Sequence, residues 1–295
     1  MEIVLPPKFD YSVPSTVDEA LSLLSENGGA KVLAGGQSLI PLLKLRFSSP
    51  SMLVDVNRVA GLDDVAEDGG ELRIGALARH SDVAASKLLK ARYPLVAEAA
   101  NWIADPITRR RGTMGGSLAH ADPAGDWGSV MLALDASVVA RTSSGERTIP
   151  VSELFRGPFR SSLEPGEMLT EIRIPQGGDQ AGGTYLKLER KVGDFATVGV
   201  AVQLDMANGT IGRAGIGLTA VGPTNIRATA AEETLAGSEP GPAAFDEAAR
   251  LAAEAAQPIS DVRGSAEYKR AVVRAYVRRG LDRSLELARA GRGAP

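Results

Sequence analysis

The sequence predicts a protein of mixed helix and strand, divided into about two domains. Three observations carry that expectation. The chain has 295 residues, close to twice the roughly 150 that make one domain. Its apolar patterning changes along its length, from short strands alternating with helices, to longer strands joined by a tight turn, to a helical tail. Between the first and second of these regions, residues 176–183 hold four glycines and no large apolar side chain, the composition of a linker.

Each element follows from a local signal. Thr16 and Glu19 read as a capping box, followed by Val17, Ala20, Leu21 and Leu24 at helical spacing and by Gly28-Gly29 as a stop. The short apolar run 31–34 reads as a strand ending in Gly35-Gly36, and 52–56 as another, so the first 57 residues form a small βα unit. Residues 71–77 read as a strand and 81–89 as a helix. Residues 95–104 read as a second helix, ended by Asp105-Pro106. The stretch 108–126 is rich in glycine and small residues, and 130–134 is helical. Residues 137–141 and 148–151 form a hairpin across Ser143-Ser144-Gly145-Glu146, and 168–175 alternates as a strand. Beyond the linker, 185–190, 198–206 and 210–221 read as strands, with Asn208-Gly209 a strong hairpin turn. Residues 245–256 and 266–290 are helical, the latter with Val273, Val277, Leu281 and Leu285 at four-residue steps.

Composition narrows the function. Hydrophobic residues make up 44% and charged residues 23%, ordinary for a globular protein able to bury real cores. A net charge of −3 gives no bulk electrostatic reason to bind nucleic acid or an anionic membrane. The chain contains no cysteine, which excludes disulfides, cysteine-ligated iron–sulfur clusters, Cys-rich zinc sites and a cysteinyl-linked flavin. Redox chemistry would have to come from a bound cofactor or a partner. The first residues, with Glu2, Pro6 and Pro7, lack the basic start and apolar run of a signal peptide. No apolar stretch approaches the roughly 20 residues of a membrane span, so a cytoplasmic protein is expected.

Two segments share one design. Val32-Leu33-Ala34-Gly35-Gly36-Gln37-Ser38-Leu39 and Thr113-Met114-Gly115-Gly116-Ser117 each set paired glycines among small or hydroxyl residues. Glycine admits positive φ and close approach of a ligand to the amides, and successive N–H groups make a nest for phosphate oxygens. Ser38, Thr113 and Ser117 can add hydroxyls, so two such nests suit a pyrophosphate. Taken singly, most paired glycines are plain tight turns. Neither segment matches the G-x-G-x-x-G fingerprint or the P-loop.

Other constellations are weaker. Gly115-Gly116-Ser117-Leu118-Ala119 lacks the final glycine of a nucleophile elbow. His80 and His120 are too few for a histidine-rich metal site, and His80 reads as a helix-start residue. Asp122 and Asp126 lack the further oxygen ligands of an EF-hand. Arg109-Arg110-Arg111 suits a solvated or partner-facing patch as well as it suits phosphate.

Taken together, Ala34-Gly35-Gly36-Gln37-Ser38-Leu39-Ile40-Pro41, Ala104-Asp105-Pro106, Arg111-Gly112-Thr113-Met114-Gly115-Gly116-Ser117, Asp122-Pro123 and Asp126 resemble the medium, flavin-binding subunit of the molybdenum hydroxylases. That family includes carbon monoxide dehydrogenase, nicotine and caffeine dehydrogenases and the flavin segment of xanthine dehydrogenase. Leu188-Glu189-Arg190-Lys191-Val192-Gly193-Asp194-Phe195-Ala196 resembles the start of its C-terminal domain.

The resemblance implies an α+β fold. A FAD-binding domain of the PCMH type would occupy 1–176, in subdomains of about 1–57 and 58–176. A C-terminal flavoprotein domain, a three-stranded antiparallel sheet with a helical bundle, would occupy 184–290. It implies non-covalent FAD, with Val32 to Leu39 as the first pyrophosphate loop and Thr113 to Ser117 as the second. Asp126 matches an acidic FAD ligand, Ile103 and Leu169 match apolar or backbone contacts, Phe195 offers an aromatic face, and Lys187 matches a lysine near the flavin ring. A cation there would favour the anionic reduced flavin.

Substrate oxidation would take place at a molybdenum–pterin cofactor on a large partner subunit. Electrons would cross two 2Fe-2S clusters on a small one, in a dimer of heterotrimers. No side chain of this chain need be an acid, base or nucleophile, and no metal is expected in it. Departures from the family pattern are Ser117, where many members have Asn, and Gln37 and Phe195, where carbon monoxide dehydrogenases have His and Tyr. The rival readings are a free-standing flavin oxidoreductase of the same fold class and a non-enzymatic nucleotide-binding or scaffold module. Co-purifying subunits would argue against the first, and a flavin spectrum against the second.

Overall fold

A computed structural model describes residues 5–291. Residues 1–4, the start of the segment read above for a leader, lie outside the described residues, as do 292–295. Strand β1 (Asp10–Ser12) leads into helix α1 (Val17–Glu26), where the Thr16 hydroxyl accepts from the Glu19 N–H at 3.1 Å. The returning Glu19 carboxylate takes the Ser15 N–H at 2.7 Å, one residue earlier than a capping box requires. Strand β2 (Ala30–Leu33), helix α2 (Leu39–Lys44) and strand β3 (Met52–Asp55) complete the unit. β3 lies between β1 and β2, all parallel. α1 buries Ala20, Leu21 and Leu24 against Val54 and Val56, each leucine contributing about 1.5–3 kcal/mol. The loop after β2 therefore emerges at the C-terminal edge of a parallel sheet, where ligands gather in open α/β layers.

The second subdomain begins with β4 (Val65–Asp68) and β5 (Glu71–Gly75). The single helix expected over 81–89 is two, α3 (His80–Ala85) and α4 (Lys87–Arg92). Ser86 separates them: its N–H closes the first on Asp82 O and its hydroxyl caps the second at Leu89 N. α5 (Pro94–Trp102), α6 (Pro106–Arg109), α7 (Met114–His120) and α8 (Asp126–Ala133) follow. Then come the hairpin β6 (Ser137–Thr142) and β7 (Gly145–Pro150), a turn of helix α9 (Val151–Leu154), the short β8 (Phe155–Gly157) and β9 (Arg160–Ser161), and β10 (Met168–Pro175). The sheet order β4-β5-β10-β6-β7 is antiparallel. Its core is built on Leu72, Ile74, Val138 and Ile172 against Trp127, Met131 and Leu118.

β11 (Ala181–Leu188) starts inside the stretch read as a linker. A Cβ on Gly182 would lie 2.1 Å from Ser284 O, and one on Gly183 would lie 2.3 Å from Gln203 Oε1. These glycines let chains pack closely and supply no slack. β12 (Val198–Ala207) and β13 (Thr210–Thr219) turn at Asn208 and Gly209, with φ of 52° and 83°. That sign at both positions is what the Asn-Gly pair signals. β14 (Ile226–Arg227) adds a two-residue fourth strand to the three expected. α10 (Thr229–Leu235), α11 (Pro242–Ala255) and α12 (Ala266–Ala290) cover the sheet, α12 through Val273, Val277 and Leu281.

The two halves meet at α8, whose eight residues are all buried. It lies on β12 and β13. A Cβ on Gly215 would sit 1.9 Å from Ala133 O, and one on Gly217 would sit 2.0 Å from Ser129 O. Backbone rests on backbone here because two alternate positions of β13 carry no side chain.

Candidate functional site

Both subdomains and the C-terminal domain border one cleft of about 680 Å³, within the size range of cofactor sites. Its first wall is the loop from β2 into α2. Among the described residues, the backbone N–H groups of Gly35, Gly36, Gln37 and Ser38 donate to no protein acceptor. Gly36 has φ of 72°, which turns the chain so that successive amides can converge. The Gln37 side chain folds back, donating to Gly35 O at 3.0 Å.

The second wall differs from the expected second amide nest. Gly115 and Gly116 lie in the first turn of α7, and the amides of residues 114–117 are already engaged. Met114 N donates to Ala78 O at 3.0 Å, Gly115 N to Ala76 O at 2.9 Å and Ser117 N to Thr113 O at 3.1 Å. Gly116 N donates to Thr113 Oγ1 at 3.2 Å. The residues after β5 capture the segment before a ligand could. This wall offers hydroxyls instead. Thr113 Oγ1 accepts from Gly116 and keeps its proton to donate, and the Ser117 hydroxyl has no partner among the described residues. The walls touch, since a Cβ on Gly35 would lie 2.3 Å from Arg111 O.

The floor is a buried ionic cluster. Asp126, at the start of α8, accepts from the Tyr185 hydroxyl at 2.6 Å and from Lys187 Nζ at 3.0 Å. Lys187 also reaches Trp102 O at 2.9 Å and Glu189 at 3.6 Å. Lys187, expected as a cation, is paired: a buried ammonium needs counter-charge, and two carboxylates supply it, so the cleft borders an ion cluster. Burial pushes the Asp126 carboxyl up, offset by Lys187 and the Tyr185 hydrogen bond. Burial, then Asp126, holds the Tyr185 phenol well above its usual range, so it stays a donor.

Sixteen of the eighteen residues expected at the site line this cleft; Leu33 and Met114 do not. Met114 is fully buried in the core, and Leu33 Cδ1 packs toward Gly36. Ile103 follows α5 and Leu169 lies at a bulge in β10. Phe195, 55% exposed, stands at the rim.

Sequence reasoning missed His80 as a lining residue. It does open α3, as read, but its ring also borders the cleft. Trp127 Nε1 donates to His80 Nδ1 at 3.1 Å. Burial, then Arg109 and Arg79, lowers its pKa to about 4, so the ring is neutral with its proton on Nε2. Tyr185 was also missed, because its partner Asp126 comes from a distant segment; Glu189 was missed although its partner Lys187 is only two residues away. Among the described residues no group of three or more His, Cys, Asp or Glu could hold a metal ion. None of their helices is long and apolar enough to cross a membrane.

Residues 7–177 match the family described as the FAD binding domain in molybdopterin dehydrogenase. Residues 183–284 match the CO dehydrogenase flavoprotein C-terminal domain. The chain is 44% identical over 287 residues to the 6-hydroxypseudooxynicotine dehydrogenase complex subunit alpha of Paenarthrobacter nicotinovorans, covering 96% of this chain and 97% of the relative. It is 40% identical over 280 residues to the carbon monoxide dehydrogenase medium chain of Hydrogenophaga pseudoflava, covering 95% and 98%. In structure it is similar to the Hydrogenophaga pseudoflava carbon monoxide dehydrogenase that lacks the Mo-pyranopterin moiety, with a TM-score of 0.93, 42% identity and coverage of 96% and 99%. Quinoline 2-oxidoreductase from Pseudomonas putida 86 is similar with a TM-score of 0.90, 31% identity and coverage of 96% and 99%.

Proposed function

The chain belongs to the FAD-binding medium subunits of the molybdenum hydroxylases, and from that premise we propose that its cleft holds FAD by the pyrophosphate for electron transfer to an external acceptor. The observation that carries this reading is the row of four unpartnered amides at residues 35–38, which line with Thr113 and Ser117 a single cleft of about 680 Å³. That donor set fits two phosphates: it is rich in N–H and O–H groups, and the φ of 72° at Gly36 is of the kind that lets successive amides converge. Val32, Ala34 and Leu39 form the apolar shoulder of the first wall, and Ile103 and Leu169 that of the second. Asp126, held by Tyr185 and Lys187, keeps carboxylate lone pairs for a ligand hydroxyl.

When bound, FAD supplies the two-electron redox chemistry, and the protein binds, orients and tunes it. Nothing in the cleft is required to act as a nucleophile. The FAD-binding domain spans 1–176 and the C-terminal domain 184–290. The partners are a large molybdenum–pterin subunit and a small 2Fe-2S subunit, assembled as a dimer of heterotrimers in the cytoplasm. Support comes from relatives that are themselves medium chains or lettered subunits of dehydrogenase complexes. Substrate choice then belongs to the large subunit.

The test is in two parts. Denaturing the purified complex should release FAD into the supernatant; flavin retained on the polypeptide, or none bound after reconstitution, would sink the site. The isolated chain loaded with FAD should show no substrate-dependent flavin reduction in anaerobic stopped-flow, and adding both partner subunits should restore it. Reduction by the isolated chain, free of molybdenum and iron, would instead make it a free-standing oxidoreductase.

A further inference from the structure

Behind the cleft, two side chains that do not line it join its walls. Asn57, two residues past β3, donates from Nδ2 to Ala34 O at 2.9 Å and to Asp55 Oδ1 at 2.6 Å. Its Oδ1 accepts from Arg79 Nη2 at 2.6 Å. The other arm of the same guanidinium, Nη1, donates to Arg111 O. Ala34 immediately precedes Gly35-Gly36, and Arg111 stands two residues before Thr113. One end of this chain of bonds is thus anchored on the carbonyl entering the first wall, the other on the carbonyl leading to the second. Asp55 is itself held by the Tyr11 hydroxyl at 2.5 Å and by the Asn57 N–H at 3.0 Å, so the anchor extends into the parallel sheet.

We propose that Asn57 and Arg79 are positioning residues, a clasp that sets the spacing between the two walls and so the preference for a ligand with two phosphates over one with a single phosphate. This rests on the reading of the cleft as a FAD site. The physical reason is the shape of the guanidinium. Its planar fork presents two N–H arms at a fixed angle and spans two acceptors at once. A lysine at the same place carries the charge but cannot hold both. A dinucleotide engages both walls simultaneously, so its affinity depends on their separation. A mononucleotide with one phosphate can settle on either wall and is indifferent to it.

The experiment measures FAD and FMN binding to the full-length chain, stripped of flavin, by quenching of flavin fluorescence. The variants are Asn57→Ala, Arg79→Lys, Arg79→Met and the double variant Asn57→Ala/Arg79→Lys. Asn57 is exposed and neutral, so its loss changes neither core nor charge. Each single variant should weaken FAD by about tenfold, the size expected for a hydrogen bond to a charged group, and leave FMN nearly unchanged. The double variant should be no worse than the singles, because both break one device.

Unchanged FAD affinity in Asn57→Ala would overturn the clasp. So would wild-type affinity in Arg79→Lys beside a loss in Arg79→Met, which would make Arg79 a simple charge. Equal losses for FAD and FMN would mark a general loosening of the fold and overturn it too. Failure of the wild-type chain to bind FAD at all would remove the cofactor reading itself, a result distinct from any of these.

Discussion

Gly35-Gly36 and Gly115-Gly116 look interchangeable in the sequence, yet they stand in opposite situations. The first pair opens a loop whose amides find no protein acceptor. The second begins a helix whose amides are all engaged, by Ala76, Ala78 and Thr113. Both pairs are crowded by protein, Gly35 by Arg111 O and Gly115 by Ala76; what differs is that the amides of the first are left open and those of the second are spent within the protein. A glycine pair is therefore ambiguous until its neighbours are known. The two walls divide the work, with amides on one side and hydroxyls on the other.

Substitutions should separate the two roles. The largest effect belongs to Gly115→Val. A Cβ there would lie 2.5 Å from Ala76 Cβ and 2.8 Å from its Cα and O, so the apoprotein should lose about 3 kcal/mol in urea unfolding without flavin. A stable Gly115→Val chain that merely failed to bind FAD would erase the contrast. Gly36→Val should do the reverse. Its positive φ and the crowding of Ile40 distort the loop. FAD affinity should fall about a hundredfold, or roughly 2.7 kcal/mol, with a backbone penalty of about 1–2 kcal/mol. Equilibrium dialysis and urea midpoints on the same samples read both numbers.

The second wall should also respond to acid in a way the first does not, through His80 beside Gly112. Folded His80 titrates at about 4, below its ordinary 6.5. An unfolded chain gains a proton there as pH falls through 6.5, while the folded chain does not until about 4. The stability conferred by the neutral ring is therefore present above that window and lost as pH falls through it. Between pH 7 and pH 5 the loss from this residue should be about 2 kcal/mol, and His80→Gln should remove that part of the slope. An unaltered slope would mean the ring is not held neutral. The smallest effect is Ser117→Ala, which removes one neutral hydroxyl donor and should weaken FAD by about 0.5–1.5 kcal/mol. A larger loss than that of Gly36→Val would place the main grip on the second wall.

The elements legible in the sequence were those with local causes. Thr16 and Glu19 do start α1, Asn208-Gly209 does turn a hairpin, and the four-residue steps of α12 do bury one stripe. The residues of both glycine segments were legible as a set, because their order and spacing resemble a family. Their local conformation was not. The Met114 and Gly115 amides of the second segment are taken by residues some 35–40 positions earlier, and nothing near Gly115 in the chain says so. Gly182 and Gly183 misled for the same reason: the backbone that crowds Gly182 belongs to α12, about a hundred residues on. The resemblance marked Lys187 as a cation but not its carboxylate partners, which lie two residues ahead and sixty-one behind.

α8 has a consequence for anyone splicing this chain with a relative. The obvious junction is the glycine-rich stretch after β10, yet a chimera cut there would seat one parent's α8 on the other parent's β13. Gly215 and Gly217 leave no room for even a methyl group beneath Ala133 and Ser129, and Asn225 needs a glycine opposite it, since a Cβ on Gly128 would lie 2.1 Å from its Oδ1. The inherited unit is therefore a helix from the first half together with the face of a strand from the second. Grafts that exchange α8 and β13 as a matched set should keep the floor of the cleft, and those that follow the linker alone should part company at Asp126 and Lys187.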